Sequence, residues 1–480
     1  MKKILFVTAP FHTGGVHMAG QWPPLYMIYL AGAARDAGAE AKIYDAMTLH
    51  HDYNDISKEV KNYNPDIVMT MDYLPVTGTL STASVPAAIK ILETAKEVNS
   101  DILTVISGTH PTFMYEEMLN NEPYIDYIIR GEGEAVLQNI IKADSREEIN
   151  GLNGVVYSAD GGIVKNPREE LIVDIDSLNP AWDLIDWNYY KYNVDPPGGR
   201  LASVLTSRGC DMSCSFCSQR LFWDVKWRPR KAEKVVEEIE TLKNKYDVNV
   251  VTFIDAYPTK DRQRWETILD LLIEKDLGVY FLLETRVDDI LRDKDILHKY
   301  KKAKILHVYM GAESGDEEIL EKINKGITID QVHEAINILR EAQILTEASF
   351  MVGFPEETWD SINKTIEMAK KLNPDVAVFP VYTPWPYTPE FKQYKDRIRV
   401  FDYSKYNILD PVIEPYEMSL SDVDKAVGMC YRDFYKEKMK EVIVMKDELN
   451  KEYLLSAFKI MMKDFKSTFK EKNIDLNHPV

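Results

Sequence analysis

The stretch TSRGCDMSCSFCSQR, residues 206–220, decides the fold. It holds three of the four cysteines of the chain, Cys210, Cys214 and Cys217, whereas the fourth, Cys430, lies far away in the sequence. Chance is a poor explanation for three thiols on one glycine-containing loop. A structural zinc site or a ferredoxin-type cluster would need a fourth protein ligand. The C-x3-C-x2-C spacing therefore favours a four-iron cluster that leaves one iron open to a small molecule.

The composition indicates a multidomain protein that does not bind polyanions. With 480 residues, 45% of them hydrophobic, the chain is long enough for two or three domains with sizeable cores. Its 58 basic and 77 acidic residues give a formal net charge of −19, which disfavours nucleic acid and acidic membrane surfaces as partners. No run of about 20 apolar residues occurs, so we expect no membrane span. We also expect no signal peptide, and the few cysteines fit a reducing cytoplasm.

Residues 1–143 alternate apolar strand patterns with helix patterns. Five such strands, beginning with KKILFVTA, predict an α/β domain built on a doubly wound parallel sheet. Ligands of such sheets bind beyond the carboxyl ends of the strands. The unusual loops of this domain fall at those ends, in FHTGGVHMAGQWPP, LPVTGTLSTAS, SGTHPTF and RGEGE.

The remaining chain divides into three segments. Residues 144–199 contain a hairpin, GVVYSADGGIVKN, and a connector rich in Pro, Asp and aromatic residues, which we predict to be a linker. Residues 200–395 repeat strand and helix six times, which predicts a partial or full barrel of parallel strands, a (β/α)6 unit. Residues 396–480 are polar and helical in pattern. Cys430 falls there on an amphipathic helix, where we predict a buried structural thiol.

The cysteine spacing, with the aromatic Phe216 directly before Cys217, resembles the signature of the radical S-adenosylmethionine (SAM) enzymes. The resemblance implies a [4Fe-4S] cluster held by the three cysteines, with the amine and carboxylate of SAM on the open iron. It implies that the reduced cluster cleaves SAM to a 5′-deoxyadenosyl radical. It also implies an electron donor such as a flavodoxin or ferredoxin.

Three later strand ends resemble the same family. They are TR at 285–286, YMGAESG at 309–315 and FMVGFPEET at 350–358. Each match is weak alone, since Glu313 could be a solvated loop carboxylate and Arg286 a surface ion pair. Their order at successive strand ends makes the joint match strong. The resemblance implies SAM contacts from Phe216, Arg286, Glu313, Ser314, Gly353 and Pro355.

The first domain resembles the cobalamin-binding domain that precedes many radical SAM enzymes. The segments WPPLYMIYLAG, GTHPTF and RGEGE carry the resemblance, and no G-x-G-x-x-G fingerprint of a dinucleotide site follows the first strand. The Asp-x-His-x-x-Gly motif that supplies a cobalt ligand in other cobalamin proteins is missing. We therefore expect no cobalt ligand from His12, His17 or His110. The resemblance implies cobalamin contacts from Gly15, Gln21, Trp22, Pro23, Thr77, Gly108, Gly131, Glu132 and Gly133.

Nearly the whole chain resembles one family, the anaerobic magnesium-protoporphyrin IX monomethyl ester cyclases and their relatives. HTGGVHMAGQWPP, SRGCDMSCSFCSQRLFW, TPWPYTPEF and FDYSKYN are among the segments that carry this resemblance. It implies an oxidative cyclisation that builds the fifth ring of chlorophylls and draws the ketone oxygen from water. The chain departs from the cyclases at residues 255–259, where DAYPT lacks their acidic pair before Pro-Thr. This loop faces the substrate, so the substrate can differ.

Two other functions stay open at this point. The first is a cobalamin-dependent radical SAM methyltransferase, which the sequence cannot separate from a cyclase. The second belongs to another class, a non-catalytic carrier or sensor of cobalamin or a tetrapyrrole. The three intact cysteines argue against the second, because nothing else in the fold needs them.

The candidate substrate contacts follow from the requirements of radical chemistry. The reacting carbon must lie close to both cofactors and away from water, so we expect the carboxyl ends of the first sheet and of the barrel to face each other. Loops 255–259 and 382–387 would line the gap between them. The substrate contacts that we predict there are Asp255, Tyr257, Tyr382 and Trp385.

The aromatic-basic segment SQRLFWDVKWRPR allows two interpretations. Trp223 and Trp227 could stack on a flat macrocycle, with Arg228 or Arg230 pairing with its propionates. Alternatively, the tryptophans pack against the first domain and the arginines cap helix ends.

Overall fold

The computed structural model describes residues 1–11, 19–72 and 81–471. Its first sheet has the strand order β2-β1-β3-β4-β5-β6-β7, and the pairings from β2 to β5 are parallel. This arrangement confirms the predicted doubly wound α/β sheet. The strands are β1 (Lys3–Val7), β2 (Glu40–Tyr44), β3 (Ile67–Met71), β4 (Leu103–Ser107), β5 (Tyr127–Ile129), β6 (Val155–Ala159) and β7 (Gly162–Lys165).

Helices cover both faces of this sheet. Ile4 and Phe6 of β1 pack into the core on one face, and Leu5 and Val7 pack into a separate core on the other. A strand buried on both faces needs apolar residues at every position, which explains the continuous run ILFV. The helices are α1 (Leu25–Asp36), α2 (Tyr53–Tyr63), α3 (Ser81–Val98), α4 (Thr109–Asn121), α5 (Glu134–Lys142) and α6 (Arg146–Asn150).

The hairpin that we assigned to the linker is the edge of the first sheet. Strand β6 pairs antiparallel with β5, with Val156 opposite Ile128 and Val155 opposite Ile129. Both valines are fully buried. By pairing with β5, strand β6 covers an edge that would otherwise face water. The connector after the hairpin is tied to both neighbouring units. In it, Tyr190 donates to Asp45 of the first domain at 2.8 Å.

The second sheet has six parallel strands in the order β8-β11-β12-β13-β14-β15, which confirms the predicted partial barrel. A short pair, β9 with β10, follows β8. The strands are β8 (Arg200–Val204), β9 (Ser207–Arg208), β10 (Arg228–Pro229), β11 (Val248–Phe253), β12 (Tyr280–Thr285), β13 (Ile305–Glu313), β14 (Leu345–Phe350) and β15 (Val376–Val378). The helices are α7 (Gln219–Phe222), α8 (Ala232–Tyr246), α9 (Arg262–Lys275), α10 (Val287–Arg292), α11 (Leu297–Lys302), α12 (Glu317–Lys322), α13 (Ile329–Glu341), α14 (Trp359–Leu372) and α15 (Pro389–Gln393).

Two long helices, α16 (Leu420–Ile443) and α17 (Glu448–Glu471), form the C-terminal region. The Tyr435 hydroxyl bonds both the amide and the carbonyl of Ala377 in β15, at 3.1 and 2.8 Å. Helix α16 thereby covers the edge of the barrel sheet. Cys430 on this helix is fully buried, as predicted. Within the described ranges, no helix is both long and apolar enough to cross a membrane.

Candidate active site between the first sheet and the barrel

The three clustered cysteines lie on the loop between β9 and α7. All three are free, half-buried thiols, and their charges would interact with one another. Burial raises the pKa of Cys217 to about 11 and also raises the pKa of Cys210. Burial therefore disfavours a bare thiolate at Cys210 and Cys217, and iron would displace their protons on binding. The loop is fastened to the barrel where Asn324 donates to the Ser213 hydroxyl at 2.6 Å.

This donor set fits a cluster better than a single ion. In the part of the chain that the structure describes, no group of three or more His, Cys, Asp or Glu side chains could hold a metal ion. An iron–sulfur cluster distributes its thiolate ligands over different iron atoms, so the three sulfurs need not converge on one point.

The end of β13 carries a buried ion pair. The Glu313 carboxylate pairs with the Lys325 ammonium, and a Cβ on Gly311 would collide with both. Glu313 itself has φ of 65°, a left-handed conformation that strains a residue with a side chain by about 1–3 kcal/mol. Lys325 also lies 5.9 Å from the centroid of the Phe216 ring. Strain and a buried ion pair beside the cysteine loop make this strand end a candidate binding site.

The neighbouring strand ends complete the rim of the barrel. After β12, the Arg286 guanidinium pairs with Asp288 at 2.9 Å and lies 5.9 Å from the centroid of the Tyr257 ring. After β14, the Gly353 amide donates to the Glu357 carboxylate at 3.2 Å, in a turn where Gly353 has φ of 88°. Burial raises the pKa of Glu357 to about 7.

A cleft of about 590 Å³, which includes open solvent at its mouth, separates the first sheet from the cysteine loop. At its floor the Asp72 carboxylate accepts the amides of Thr109 and His110, at 3.1 and 2.6 Å, and so caps α4. Gly108 has φ of 123°, and a Cβ there would collide with Asp72. The cleft is lined by Tyr26, Leu30, Met71, Asp72, Ser107, Gly108, Thr109, Gly131, Glu132, Gly133, Glu134, Arg208, Gln219, Phe222 and Trp223.

Buried ion pairs join the two walls of the cleft. Arg208 of β9 pairs with Glu132 at 2.8 Å and with Glu134 at 2.6 Å, and Arg228 of β10 pairs with Glu132 at 2.8 Å. Burial alone would raise the pKa of Glu132, but the charges of Arg208 and Arg228 hold it below its usual range. The acidic residues belong to the RGEGE loop after β5, and the arginines flank the cysteine loop.

Comparisons with known proteins agree with this geometry. Residues 12–141 match the family model described as the B12 binding domain, and residues 204–369 match the radical SAM superfamily. The anaerobic magnesium-protoporphyrin IX monomethyl ester cyclase of Rubrivivax gelatinosus is 38% identical over 99% of this chain and 84% of its own. The chain belongs to the B12-binding radical SAM enzymes.

Two other similar proteins are described as methyltransferases. An uncharacterized methyltransferase of Pyrococcus horikoshii is 30% identical over 93% of this chain and 94% of its own. The radical SAM methyltransferase TsrM of Kitasatospora setae, solved with cobalamin and a [4Fe-4S] cluster, shares the fold with a TM-score of 0.71 at 16% identity, over 97% of this chain and 99% of TsrM. The cofactors of the B12-binding radical SAM enzyme described here are a [4Fe-4S] cluster, SAM and cobalamin.

The residues predicted to bind cobalamin fall into three groups. Gly108, Gly131, Glu132 and Gly133 line the cleft, where the Glu132 side chain is already occupied by the two arginines. The second group precedes α1, where the Gln21 amide donates to the Lys191 carbonyl and Trp22 is buried beside Pro23. The third group, Gly15 and Thr77, lies outside the described residues, as do His12 and His17.

The residues predicted to bind SAM lie around the cysteine loop. Lys325 connects two of them, since it pairs with Glu313 and lies near the Phe216 ring. Ser314 is buried, and its hydroxyl accepts the Asp316 amide at 3.0 Å. The Pro355 carbonyl accepts the Tyr416 amide at 2.8 Å. Contacts of these residues, and of Arg286 and Gly353, with SAM remain predictions.

Three of the residues predicted to contact a substrate have hydrogen-bond or packing partners within the protein. The Asp255 carboxylate accepts the Thr206 amide at 2.7 Å and the Ser207 hydroxyl at 2.8 Å, which fixes the turn after β8. Tyr382 is buried and donates to Glu390, and Trp385 packs in a small apolar core with Met47, Tyr406 and Val412. The polar atoms of Asp255 and Tyr382 and the ring of Trp385 are thus enclosed by the protein, and substrate contact by these residues stays a prediction.

Tyr257 lies closer to the barrel rim. Its hydroxyl donates to Asp289 at 3.2 Å, while its ring lies beside Arg286. The side chain is buried, but it borders a residue of the predicted SAM site. Substrate contact by Tyr257 stays a prediction.

The aromatic-basic segment 218–230 was predicted either to bind a macrocycle or to pack against the protein, and its residues differ in this respect. Trp223 lines the cleft, whereas the Trp227 indole donates to the Tyr257 carbonyl at 2.8 Å. Arg228 pairs with Glu132, and Arg230 pairs with Asp176 and Glu238. Both guanidinium groups are thus committed to protein carboxylates, which argues against a role in binding propionates of a macrocycle.

Sequence reasoning missed three charged residues of the site, Arg208, Glu134 and Lys325. Two signals were available. Arg208 precedes the first cysteine by two positions, and Glu134 ends the RGEGE segment already assigned to the cobalamin domain. Lys325 gives no pattern signal, because its role comes from a loop that returns to the cysteines more than a hundred residues later.

Proposed function

We propose that this enzyme catalyses the anaerobic oxidative cyclisation of magnesium-protoporphyrin IX monomethyl ester or a related tetrapyrrole, as a step of chlorophyll biosynthesis. The observation that carries the proposal is the similarity to the Rubrivivax cyclase, which is not confined to the two cofactor domains but covers 99% of the chain. The aligned length includes the C-terminal region and the barrel rim, although the rim loop at residues 255–259 lacks the acidic pair of the cyclases. These are the parts that a change of substrate would alter first.

Within this proposal the cleft holds cobalamin and the barrel rim holds SAM. Cys210, Cys214 and Cys217 ligate the cluster, while Lys325 and Glu313 orient SAM. The supporting observation is α7, which begins two residues after Cys217 and contributes Gln219 and Phe222 to the cleft. When bound, the cluster and SAM supply one-electron chemistry that removes hydrogen from an unactivated carbon. A reductant of the flavodoxin or ferredoxin class completes the proposal.

A methyltransferase is the second candidate. The Pyrococcus relative described as a methyltransferase aligns along 94% of its own length, so a shared architecture does not exclude methyl transfer. The loop at residues 255–259, which lacks the acidic pair of the cyclases, also favours a different substrate.

The two candidates predict different fates for labelled atoms. Reconstituted protein is incubated without oxygen gas with magnesium-protoporphyrin IX monomethyl ester, SAM, a reductant and heavy-oxygen water. A cyclase yields a product that contains oxygen from the labelled water and yields 5′-deoxyadenosine. A methyltransferase instead transfers a labelled methyl group of SAM and produces S-adenosylhomocysteine.

The Cys214→Ala variant serves as the control for cluster-dependent turnover. Product formation that persists in this variant would assign the activity to a contaminant. A wild-type protein that consumes SAM but leaves the tetrapyrrole unchanged, with neither heavy oxygen nor methyl label in it, would overturn the tetrapyrrole assignment and favour the methyltransferase with another substrate.

A further inference from the structure

The interior of the barrel contains a polar layer below the predicted SAM site. Glu284 of β12, Tyr309 of β13 and Glu347 of β14 are register partners on three adjacent parallel strands. Register partners in a parallel sheet point to the same face. Barrel interiors are usually filled by branched apolar side chains, so two glutamates in one layer are a departure that calls for a function.

The charges of the two carboxyl groups interact with each other, and neither group has a cationic partner. Within the described residues, neither Glu284 nor Glu347 pairs with Lys or Arg, and the neighbour of Glu347 is the His307 Nε2 at 3.0 Å. Burial, followed by the charges of Glu347 and Asp255, raises the pKa of Glu284 to about 8. Glu284 is therefore largely a neutral acid near pH 7.

Two side chains in or beside the layer are partly accessible. The Glu347 side chain keeps 20% of its surface accessible, and the His307 side chain keeps 12%. Ser203 of β8 provides an independent indication, because its hydroxyl is fully buried and has no hydrogen-bond partner in the described structure. Ser203 is connected through the register of the strands to Thr252, Leu282 and His307, so it points to the same face. An unpartnered buried hydroxyl there implies that water or a ligand group enters the barrel.

A chain of hydrogen bonds connects His307, the neighbour of Glu347, to two tyrosines. The Tyr453 hydroxyl lies 3.2 Å from the His307 Nδ1, and the Tyr192 hydroxyl lies 2.6 Å from that of Tyr453. Burial raises the pKa of both tyrosines, so they remain neutral donors. When Tyr192 donates to Tyr453 and Tyr453 to Nδ1, the His307 proton is on Nε2, which lies 3.0 Å from Oε2 of Glu347 without the geometry of a hydrogen bond.

We propose that Glu284 and Glu347 form a proton-transfer site inside the barrel, which exchanges one proton with the reacting region of the bound substrate. In the forward direction an acidic O–H or C–H bond of the substrate breaks, the proton forms an O–H bond on Glu347, and the electron pair stays on the substrate. No further oxidant or reductant is needed. The site goes beyond the proposed function, because it depends on the barrel and not on a tetrapyrrole.

The position of the layer supports this role. Gly311 and Glu313 of the predicted SAM site follow Tyr309 on the same strand, and the charge of Glu313 acts on the Tyr309 hydroxyl. The pair therefore lies one layer below the predicted SAM site along the strands. The titratable groups that act on one or both carboxyls, or on which they act, are Asp255, His307, Tyr309, Tyr192, Tyr431, Tyr435 and Tyr453.

Infrared difference spectroscopy of the reconstituted protein tests the proton site without a substrate. We expect the band of a protonated carboxyl group that disappears with a midpoint near pH 8 in the wild type and is missing in Glu284→Gln. In Glu347→Gln the midpoint should fall, because the charge that raises the pKa of Glu284 is gone. Glu357→Gln should remove a different component, near pH 7, and so calibrates the assignment.

Turnover tests whether the proton is used. Glu284→Gln and Glu347→Gln should keep iron, cobalamin and SAM binding but lose product formation about 100-fold or more. His307→Gln should shift the pH profile of turnover. The matched control is Glu240→Gln, because Glu240 is an exposed residue that pairs with Lys275 on the outer helices.

Two results would overturn the proposal. The first is a spectrum of the wild type that contains no carboxyl band dependent on Glu284. The second is that Glu284→Gln and Glu347→Gln both turn over at the wild-type rate with an unchanged pH profile. Absence of any tetrapyrrole conversion by the wild type would instead refute the proposed function, and the infrared result would still decide the proton site.

Discussion

Arg208 Nη2 lies 2.6 Å from Oε1 of Glu134, and the two side chains keep only 1% and 5% of their surface accessible. The pair connects the residue two positions before the first cluster cysteine with the first turn of α5 in the cobalamin-binding domain. It therefore fixes the cysteine loop against the wall of the cleft. In the proposed function SAM and cobalamin act on one substrate, so such rigid contacts would set the separation of the two cofactors.

Loss of this pair should destabilise the protein strongly. Arg208→Met leaves Glu132 and Glu134 without their shared partner in a dry environment, which costs about 3–5 kcal/mol for a buried pair. Arg35→Met removes an exposed pair with Asp183 and should cost about 0–1 kcal/mol. Denaturant midpoints of the two variants measure the difference. Equal midpoints would contradict the role of the buried pair.

The fold was predictable because its signals are local. Apolar runs and their spacing give the two parallel sheets, and the cysteine spacing gives the cluster loop. The pairing of β6 with β5 was not predictable, because a hairpin pattern does not say which strand it joins. Arg208 and Glu134 are 74 positions apart in the sequence, and no local pattern predicts an ion pair between them. The small core around Trp385 was not predictable for the same reason, since a tryptophan in a loop gives no sign of the residues that enclose it.

The cluster ligands can be tested by iron content. Wild-type protein reconstituted without oxygen should hold about four irons and four sulfides per chain, with Cys210, Cys214 and Cys217 as ligands. Cys214→Ala should lose iron and all SAM cleavage. Cys430→Ala should keep the wild-type iron content, because Cys430 is enclosed within the α16 core far from the loop. Comparable iron loss in both variants would refute the assignment of three ligands.

Lys325 should contribute to SAM affinity. Its ammonium pairs with Glu313 and acts electrostatically on Cys214, so Lys325→Met leaves a buried carboxylate unpaired at the predicted SAM site. We expect SAM binding to weaken at least about tenfold, or about 1.4 kcal/mol. Lys322→Met is the matched control, because Lys322 pairs with Glu356 at the surface. Calorimetric titration of the reconstituted proteins with SAM compares the two, and equal affinities would exclude the role.

Stability should depend on pH through two buried acids. Burial raises the pKa of Glu284 to about 8 and that of Glu357 to about 7, from a usual value of 4.5. Between the usual and the raised values, the folded state binds more protons than the unfolded state, so the free energy of unfolding falls as pH rises. Glu284→Gln should flatten this fall up to about pH 8. Thermal unfolding midpoints at several pH values check the slope, and an unchanged slope in this variant would contradict the raised pKa.

Cobalt should have no histidine ligand from the described part of the chain. His110 is buried at the start of α4, where its ring lies 4.9 Å from that of Tyr403 and its Nδ1 lies 3.3 Å from the Thr82 hydroxyl. Burial lowers its pKa to about 3, so the ring is neutral and held by packing. Electron paramagnetic resonance of the Co(II) protein should therefore show no nitrogen splitting from an imidazole.

His110→Phe tests this expectation directly. The variant should bind cobalamin and give the same Co(II) spectrum as the wild type, because phenylalanine keeps the aromatic contact with Tyr403. His298→Phe, at an exposed position on α11, controls for the loss of a histidine elsewhere. Nitrogen splitting in the wild type that disappears only in His110→Phe would make His110 a cobalt ligand. Splitting that persists in both variants and changes when the protein is labelled with ¹⁵N would assign the ligand to another histidine and refute the argument from the missing Asp-x-His-x-x-Gly motif.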